Sequence, residues 1–410
     1  MGGQQSNANK NDGMSMTTMT DTRTTRTHGT VDEIANAVAR VLGDAARPIA
    51  LHEPRFSGNE SRYAEECLRT GWVSSAGAYV DRLERELAAF TGAKSAVVTV
   101  NGTAALHAAL VLCGVGRDDE VLIPALTFVA TANAVSYCGA VPHLVEIDER
   151  TLGVDAAKLA AYLDATTTRA AGGLVNKVTG RRICALVPMH CFGCPADLDG
   201  LLAVCERFGL DLIEDAAESI GSTYAGRHTG TFGRIGILSF NGNKTITTGG
   251  GGAILTNDVA LGKAAKHLTS TARVPHQWEL KHDRVAFNYR MPNINAAIGV
   301  AQMERLPDIL RAKRSLAERY AKEFAGVSGA RFFTEPAGCT SNYWLNTVIL
   351  EDTGQRDALL ARLHEEQILA RPAWTLVGDL PMYTGVPTMD LTVTRRLAAG
   401  MVNLPSSPHL

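Results

Sequence analysis

The chain of 410 residues carries 40 Lys+Arg against 42 Asp+Glu, a net charge of −2, and 45% of it is hydrophobic. At roughly 150 residues per domain this length gives two or three domains with ample apolar surface for a core, which excludes disorder of the chain as a whole. Balanced charge excludes the basic stripe of a nucleic-acid binder, and no apolar run nears the roughly 20 residues that span a bilayer, so a soluble, cytoplasmic protein with no nucleic-acid or membrane partner is expected.

Residues 1–29 are almost wholly polar and are expected to form a disordered tail, because they cannot bury enough surface to offset their ordering entropy. From Thr30, Val31, Ile34, Val38, Val41 and Leu42 recur at helical spacing, so a leading helix is expected within 30–46. Between 47 and 295 short apolar runs alternate with helical patterns: SAVVTV, EVLIP, ICALVP, LDLIED, GILSF and GGAILT. That alternation predicts an α/β domain with a mostly parallel sheet covered by helices on both faces. A long helical stretch after Asn293, then NYWLNTVIL and QRDALLARLHEEQI, predicts a smaller C-terminal α+β domain over 296–410. The eight cysteines are scattered and are expected to stay reduced; Cys191 and Cys194 have CxxC spacing, but no second pair follows, so no metal is expected.

In an open α/β sheet, chemistry gathers just beyond the carboxyl ends of the strands. Four segments occupy such places. Asn101-Gly102-Thr103-Ala104 follows SAVVTV and opens a helix, whose free N–H groups suit a phosphate, although a plain helix cap has the same pattern. Asp215 and Glu218 follow LDLI three residues apart, with the small Ala216 and Ala217 leaving room for a flat ring. Ser239 and Lys244 lie in a polar loop ahead of the glycine run 249–252, and a desolvated lysine amine is the group that bonds to carbonyl compounds. Arg290, in Asn288-Tyr289-Arg290-Met291, suits a carboxylate or phosphate, with a surface ion pair as the plain alternative.

Thr103 in NGTAALH, Phe128 in PALTFVATANA, His190 in VPMHCFG, Asp215 in EDAAES, Ser239 and Lys244 in SFNGNK, the run GGGGAILT and Asn288 in NYRM follow one another as in the DegT-type sugar aminotransferases, which the chain resembles from about residue 48 to its end. The resemblance implies the aspartate-aminotransferase fold (fold type I, with a seven-stranded type of sheet) and pyridoxal 5'-phosphate as cofactor. Lys244 matches the lysine that bonds to the cofactor and moves protons. Asp215 matches the partner of the pyridinium nitrogen, Glu218 stands where many relatives have Gln near the ring hydroxyl, and Phe128 and Ala217 match the two faces of the ring. Gly102, Thr103, the Ala104 N–H and Ser239 match the phosphate site, and Asn288 matches a phosphate ligand from a neighbouring subunit, implying a homodimer. His190, Trp278 and Arg290 are expected toward the substrate; the loop containing His276 and His282 fits either a substrate contact or simple packing.

The branch it looks most like aminates C4 of UDP-linked 4-keto-6-deoxy-N-acetylhexosamines with L-glutamate as donor, in surface-glycan or nonulosonic-acid biosynthesis. A 3-aminotransferase is the alternative. A sugar dehydratase of the same fold carries histidine at the position of Lys244, and a non-catalytic relative usually shows a changed lysine or an added DNA-binding domain, whereas Lys244 and Asp215 are both present and the 29-residue tail is too short and polar for such a domain. A dinucleotide-dependent dehydrogenase would need GxGxxG after an early strand, which NGTAALH does not supply.

Overall fold

A computed structural model describes the backbone of residues 22–410 and the side chains from residue 30 onward. Its main sheet follows the path β1 (Ser95–Thr99), β7 (Gly252–Thr256), β6 (Ile235–Ser239), β5 (Asp211–Asp215), β4 (Arg182–Leu186), β2 (Glu120–Pro124) and β3 (Val141–Val145). Only β7 runs antiparallel to its neighbours, pairing with β1 and β6. A hairpin, Thr167–Ala170 with Gly173–Asn176, extends the sheet beside β4. The expected mostly parallel α/β sheet is therefore present. The edge strand β3 is the one that the apolar runs did not mark, because Pro142 and His143 interrupt it, and proline is tolerated where one side of a strand is unpaired.

Helices cover both faces. Gly102–Leu112 and Val129–Tyr137 pack on one, with Ala105, Ala109, Val121, Ile213 and Ile237 in a common core. On the other, Leu83, Leu87, Leu238, Phe240 and Leu255 meet Ala297, Val300 and Leu306 of the helix Asn293–Phe324. The far half of that helix, at Leu316, Tyr320 and Phe324, joins a separate core with Val348, Leu350, Val402 and Leu404 of a four-stranded antiparallel sheet. One helix thus belongs to two cores and joins the small sheet to the large one.

The leading helix spans Thr22–Leu42, and Ile34, Val38 and Val41 are buried against the small sheet's core. It passes through Thr30 instead of starting there, so the predicted tail overlaps its first two turns. Once an apolar stripe has fixed the helix, each further residue adds a backbone hydrogen bond without a new nucleation cost. The remainder of that tail, residues 1–21, lies outside the described residues. Among the described residues no helix is long and apolar enough to cross a membrane.

Candidate active site

Because β1, β5 and β6 run in one direction, their carboxyl ends bring Asn101, Asp215 and Ser239 to the same edge of the sheet. A cavity of about 280 Å³ opens there, lined among others by Gly102, Thr103, Phe128, Asp215, Ala217, Glu218, Ser239 and Lys244. Segments separated by more than 100 residues in sequence thus form one pocket.

Its phosphate-sized end is the first turn of the helix Gly102–Leu112. Asn101 caps that helix, accepting the Ala104 N–H at 2.7 Å, and the Ala105 N–H bonds to the Asn101 carbonyl. The amides of Gly102 and Thr103 precede the first intrahelical bond and remain to face a ligand. The Ala104 N–H, expected at the phosphate, donates here to the Asn101 side chain. A Cβ on Gly102 would lie 2.9 Å from the Ser239 Cβ and 3.2 Å from its hydroxyl, so only glycine lets helix and strand close into this cradle. A Cβ on Gly252 would lie 2.6 Å from the Asn101 backbone. At this position the glycine run lets β7 pack on the helix start.

Asp215, the last residue of β5, is buried and accepts from the Thr131 hydroxyl at 2.8 Å and the Ala217 N–H at 3.2 Å. Burial raises its carboxyl above the ordinary range despite these donors and the Lys244 charge. Glu218 accepts from Lys244 Nζ at 3.0 Å and from the Phe192 N–H at 2.9 Å. That amide points at the carboxylate with Phe192 in the left-handed region, φ +55, an unfavourable conformation for a non-glycine residue. Burial pushes Glu218 up to about 7, with Lys244 opposing the shift. The Lys244 side chain is 12% exposed and its amine lies 3.8 Å from the centre of the Trp344 ring.

Phe128, half exposed at the start of the helix Val129–Tyr137, faces the cavity beside Trp374, with ring centres 6.4 Å apart. Three expected substrate residues lie elsewhere. His190 is fully buried, its Nε2 shared with Glu214 at 3.1 Å and its Nδ1 accepting the Ala196 N–H, so it supports the strand ends from behind. Arg290 pairs with the buried Glu84 at 2.6 Å. Trp278 is 74% exposed, edge-on to His276, on a loop away from the cavity. Asn288 is exposed and does not line its own chain's cavity. Cys191 and Cys194 are buried among Phe192, Trp344 and Leu376, and burial pushes both thiols up.

Residues 54–410 match the DegT/DnrJ/EryC1/StrS aminotransferase family. The chain belongs to that family. GDP-perosamine synthase of Vibrio cholerae is 37% identical over 366 residues, covering 88% of this chain and 95% of that protein, and the enzyme of the same name from Caulobacter vibrioides is 38% identical over 368 residues, covering 88% and 94%. Among solved structures, the aminotransferase TlmJ from Streptoalloteichus hindustanus superposes with a TM-score of 0.80 at 29% identity, covering 88% of this chain and 94% of its own.

As a DegT-family member the chain is a pyridoxal phosphate-dependent aminotransferase of fold type I. Its residues fit that cofactor. Gly102 and the Ser239 hydroxyl leave a cradle that a single Cβ would fill at a helix start, and the buried Asp215 carboxylate lines the same cavity. When bound, the cofactor supplies an electron sink for a carbanion. Asp215 would hold a proton on the ring nitrogen, Phe128 and Ala217 would confine the ring, and Lys244 would move the proton between carbons.

The residues that the sequence did not single out are Thr131, Trp344, Trp374 and Asn342. Thr131 had a local signal, since it follows Phe128 by three residues on one helix and so shares its face. The others come from the smaller C-terminal sheet and its loops, and no local pattern connects them to a lysine about 100 residues away.

Proposed function

We propose that the chain transfers the amino group of L-glutamate to the keto carbon of a nucleotide-linked sugar, in two half-reactions at one site, for surface-polysaccharide synthesis. The observation that carries this reading is the convergence of Lys244, Asp215 and Glu218 on one cavity beside the start of the helix Gly102–Leu112. The amine and two carboxyl groups are within reach of one ring-sized ligand, as proton transfer requires. For the acceptor, the sequence resemblance favours a UDP-linked 4-keto-6-deoxy-N-acetylhexosamine, whereas both relatives above are named for a GDP-linked sugar. Their coverage of nearly the whole chain weighs for GDP, and we take a GDP-linked 4-keto-6-deoxy sugar as the acceptor.

The working form in this proposal is a homodimer in which Asn288 completes the phosphate site of the other subunit. Its exposure, away from its own cavity, supports that reading. The same proposal divides the chain into a cofactor unit, 47–295, and a smaller unit, 296–410, on which the leading helix docks.

The test incubates purified protein with pyridoxal phosphate, L-glutamate and a panel of GDP-, UDP- and dTDP-linked 3-keto and 4-keto sugars. Expected is an aminated GDP-linked product with one 2-oxoglutarate per turnover. Amination of the UDP sugar alone overturns the nucleotide assignment, a 3-amino product overturns the position, and absence of product with every sugar overturns the reading.

A further inference from the structure

The segment Asn342-Tyr343-Trp344 leaves the small sheet's side of the molecule and touches the lysine loop at several points. The Trp344 indole N–H donates to the Asn243 carbonyl at 2.7 Å, and its ring lies 3.8 Å from the Lys244 amine. Asn342 donates through Nδ2 to the carbonyls of Glu218 and Ile220, both at 2.9 Å, and to the Thr245 hydroxyl at 3.2 Å. Thus both chain neighbours of Lys244, and the backbone of the carboxylate that receives its amine, are held by residues two apart.

The segment is itself anchored. Asn342 Oδ1 accepts the Trp344 N–H at 2.8 Å, and the Asn342 N–H donates to the Ser222 hydroxyl at 2.9 Å. Tyr343 between them has φ +47, a conformation that bulky residues rarely adopt. From below, Lys313 of the two-core helix donates to the Trp344 carbonyl at 3.2 Å and to the Ser406 carbonyl at 2.6 Å, and is fully buried there. A buried amine that donates to two carbonyls ties this backbone to the helix through hydrogen bonds that have no water to compete with them.

We propose that Trp344, seated by Asn342 and Lys313, is a positioning residue that holds the Lys244 amine against Glu218, ready to bond to the cofactor. The proposal rests on the reading of Lys244 as the cofactor lysine. A lysine on a flexible four-carbon stem with one partner samples many positions, whereas one held between a carboxylate and an aromatic face samples few. In the step concerned, the ammonium gives one hydrogen to Glu218, the freed lone pair on nitrogen bonds to the cofactor's aldehyde carbon, and the carbonyl oxygen leaves as water with that hydrogen and a second from nitrogen, the third remaining on nitrogen. Its rate depends on where the amine spends its time.

The test compares cofactor-free wild type, Trp344→Phe and Trp344→Leu. One measurement is the rate at which added pyridoxal phosphate becomes fixed to Lys244, followed by visible absorbance and by borohydride reduction with peptide mapping. The second is the affinity for pyridoxamine phosphate, which occupies the same cavity and cannot bond to the lysine; the third is thermal unfolding. Trp344→Leu is expected to slow fixation by about 10- to 100-fold, and Trp344→Phe, which keeps an aromatic face, by less than about 3-fold, with pyridoxamine phosphate affinity within about 2-fold in both. A Leu variant that fixes the cofactor at the wild-type rate overturns the proposal, as does a Leu variant whose slower fixation is matched by an equal loss of pyridoxamine phosphate affinity. If the wild type itself never attaches cofactor at Lys244, the functional reading falls and this proposal falls with it.

Discussion

Glu214 and Glu218 are four residues apart, both buried, and the molecule treats them in opposite ways. Burial alone would raise both. At Glu214 the His190 imidazole and the N–H groups of Gly230, Phe232 and Gly233 outweigh it, and its carboxyl is held below the ordinary range. At Glu218 one backbone N–H and the Lys244 amine do not, and the group stands at about 7. The difference separates a carboxylate that holds the strand ends in place from one left under-solvated at the cavity. Buried ionisable groups whose hydrogen bonds are complete belong to the framework; those short of donors are the candidates for chemistry.

The comparison can be broken at several points. The largest expected effect is at the amine the second carboxylate serves: Lys244→Ala should lower transamination by about 10³-fold or more while circular dichroism stays unchanged, since the side chain crosses a cavity and supports no core. Asp215→Asn should lower it by about 10²-fold, with pyridoxamine phosphate still bound, because asparagine keeps the shape of the side chain and removes only its charge. Glu214→Gln tests the framework side. It removes the charge from a fully buried pair and should cost about 3 kcal/mol in urea unfolding, whereas Glu218→Gln should leave stability near wild type at neutral pH or raise it.

The smallest effect is the one with a sign to check. Glu218 has a folded value near 7 against an ordinary 4.5, so in the folded state it keeps its proton over that interval when the unfolded chain has lost it. Its contribution is fully present below about pH 4.5 and is lost as pH rises to about 7. Glu214, held below 4.5, contributes above that pH and loses its contribution as pH falls. Unfolding of the cofactor-free protein should therefore show the wild type losing ground to Glu218→Gln between about pH 4.5 and 7, and losing its advantage over Glu214→Gln below about pH 4.5. Slopes of the same sign would remove the distinction between the two carboxylates.

Much of this was legible in the sequence where the signal is local. Apolar runs of four to six residues marked six of the seven main strands, and residues just beyond them, Gly102, Thr103, Asp215, Ser239 and Lys244, line one cavity. The failures follow from the same rule. His190 and Arg290 also stand near strand ends and have the chemistry of ligands, but a side chain's facing depends on which partner waits behind the strand, here Glu214 and Glu84. Thr30 has the residue type of a helix cap, yet the helix runs through it.

The sequence by itself determined the sheet type and the edge of the sheet at which Asp215, Ser239 and Lys244 gather, because strand periodicity and residues next to strand ends are properties of a few consecutive positions. Only the tertiary structure decided that Glu218 is short of donors while Glu214 is not, and that the Trp344 ring lies over the Lys244 amine. Both depend on how distant segments are brought within about 4 Å, and hydrogen bonds and aromatic contacts of that range are set by packing, which no local pattern encodes.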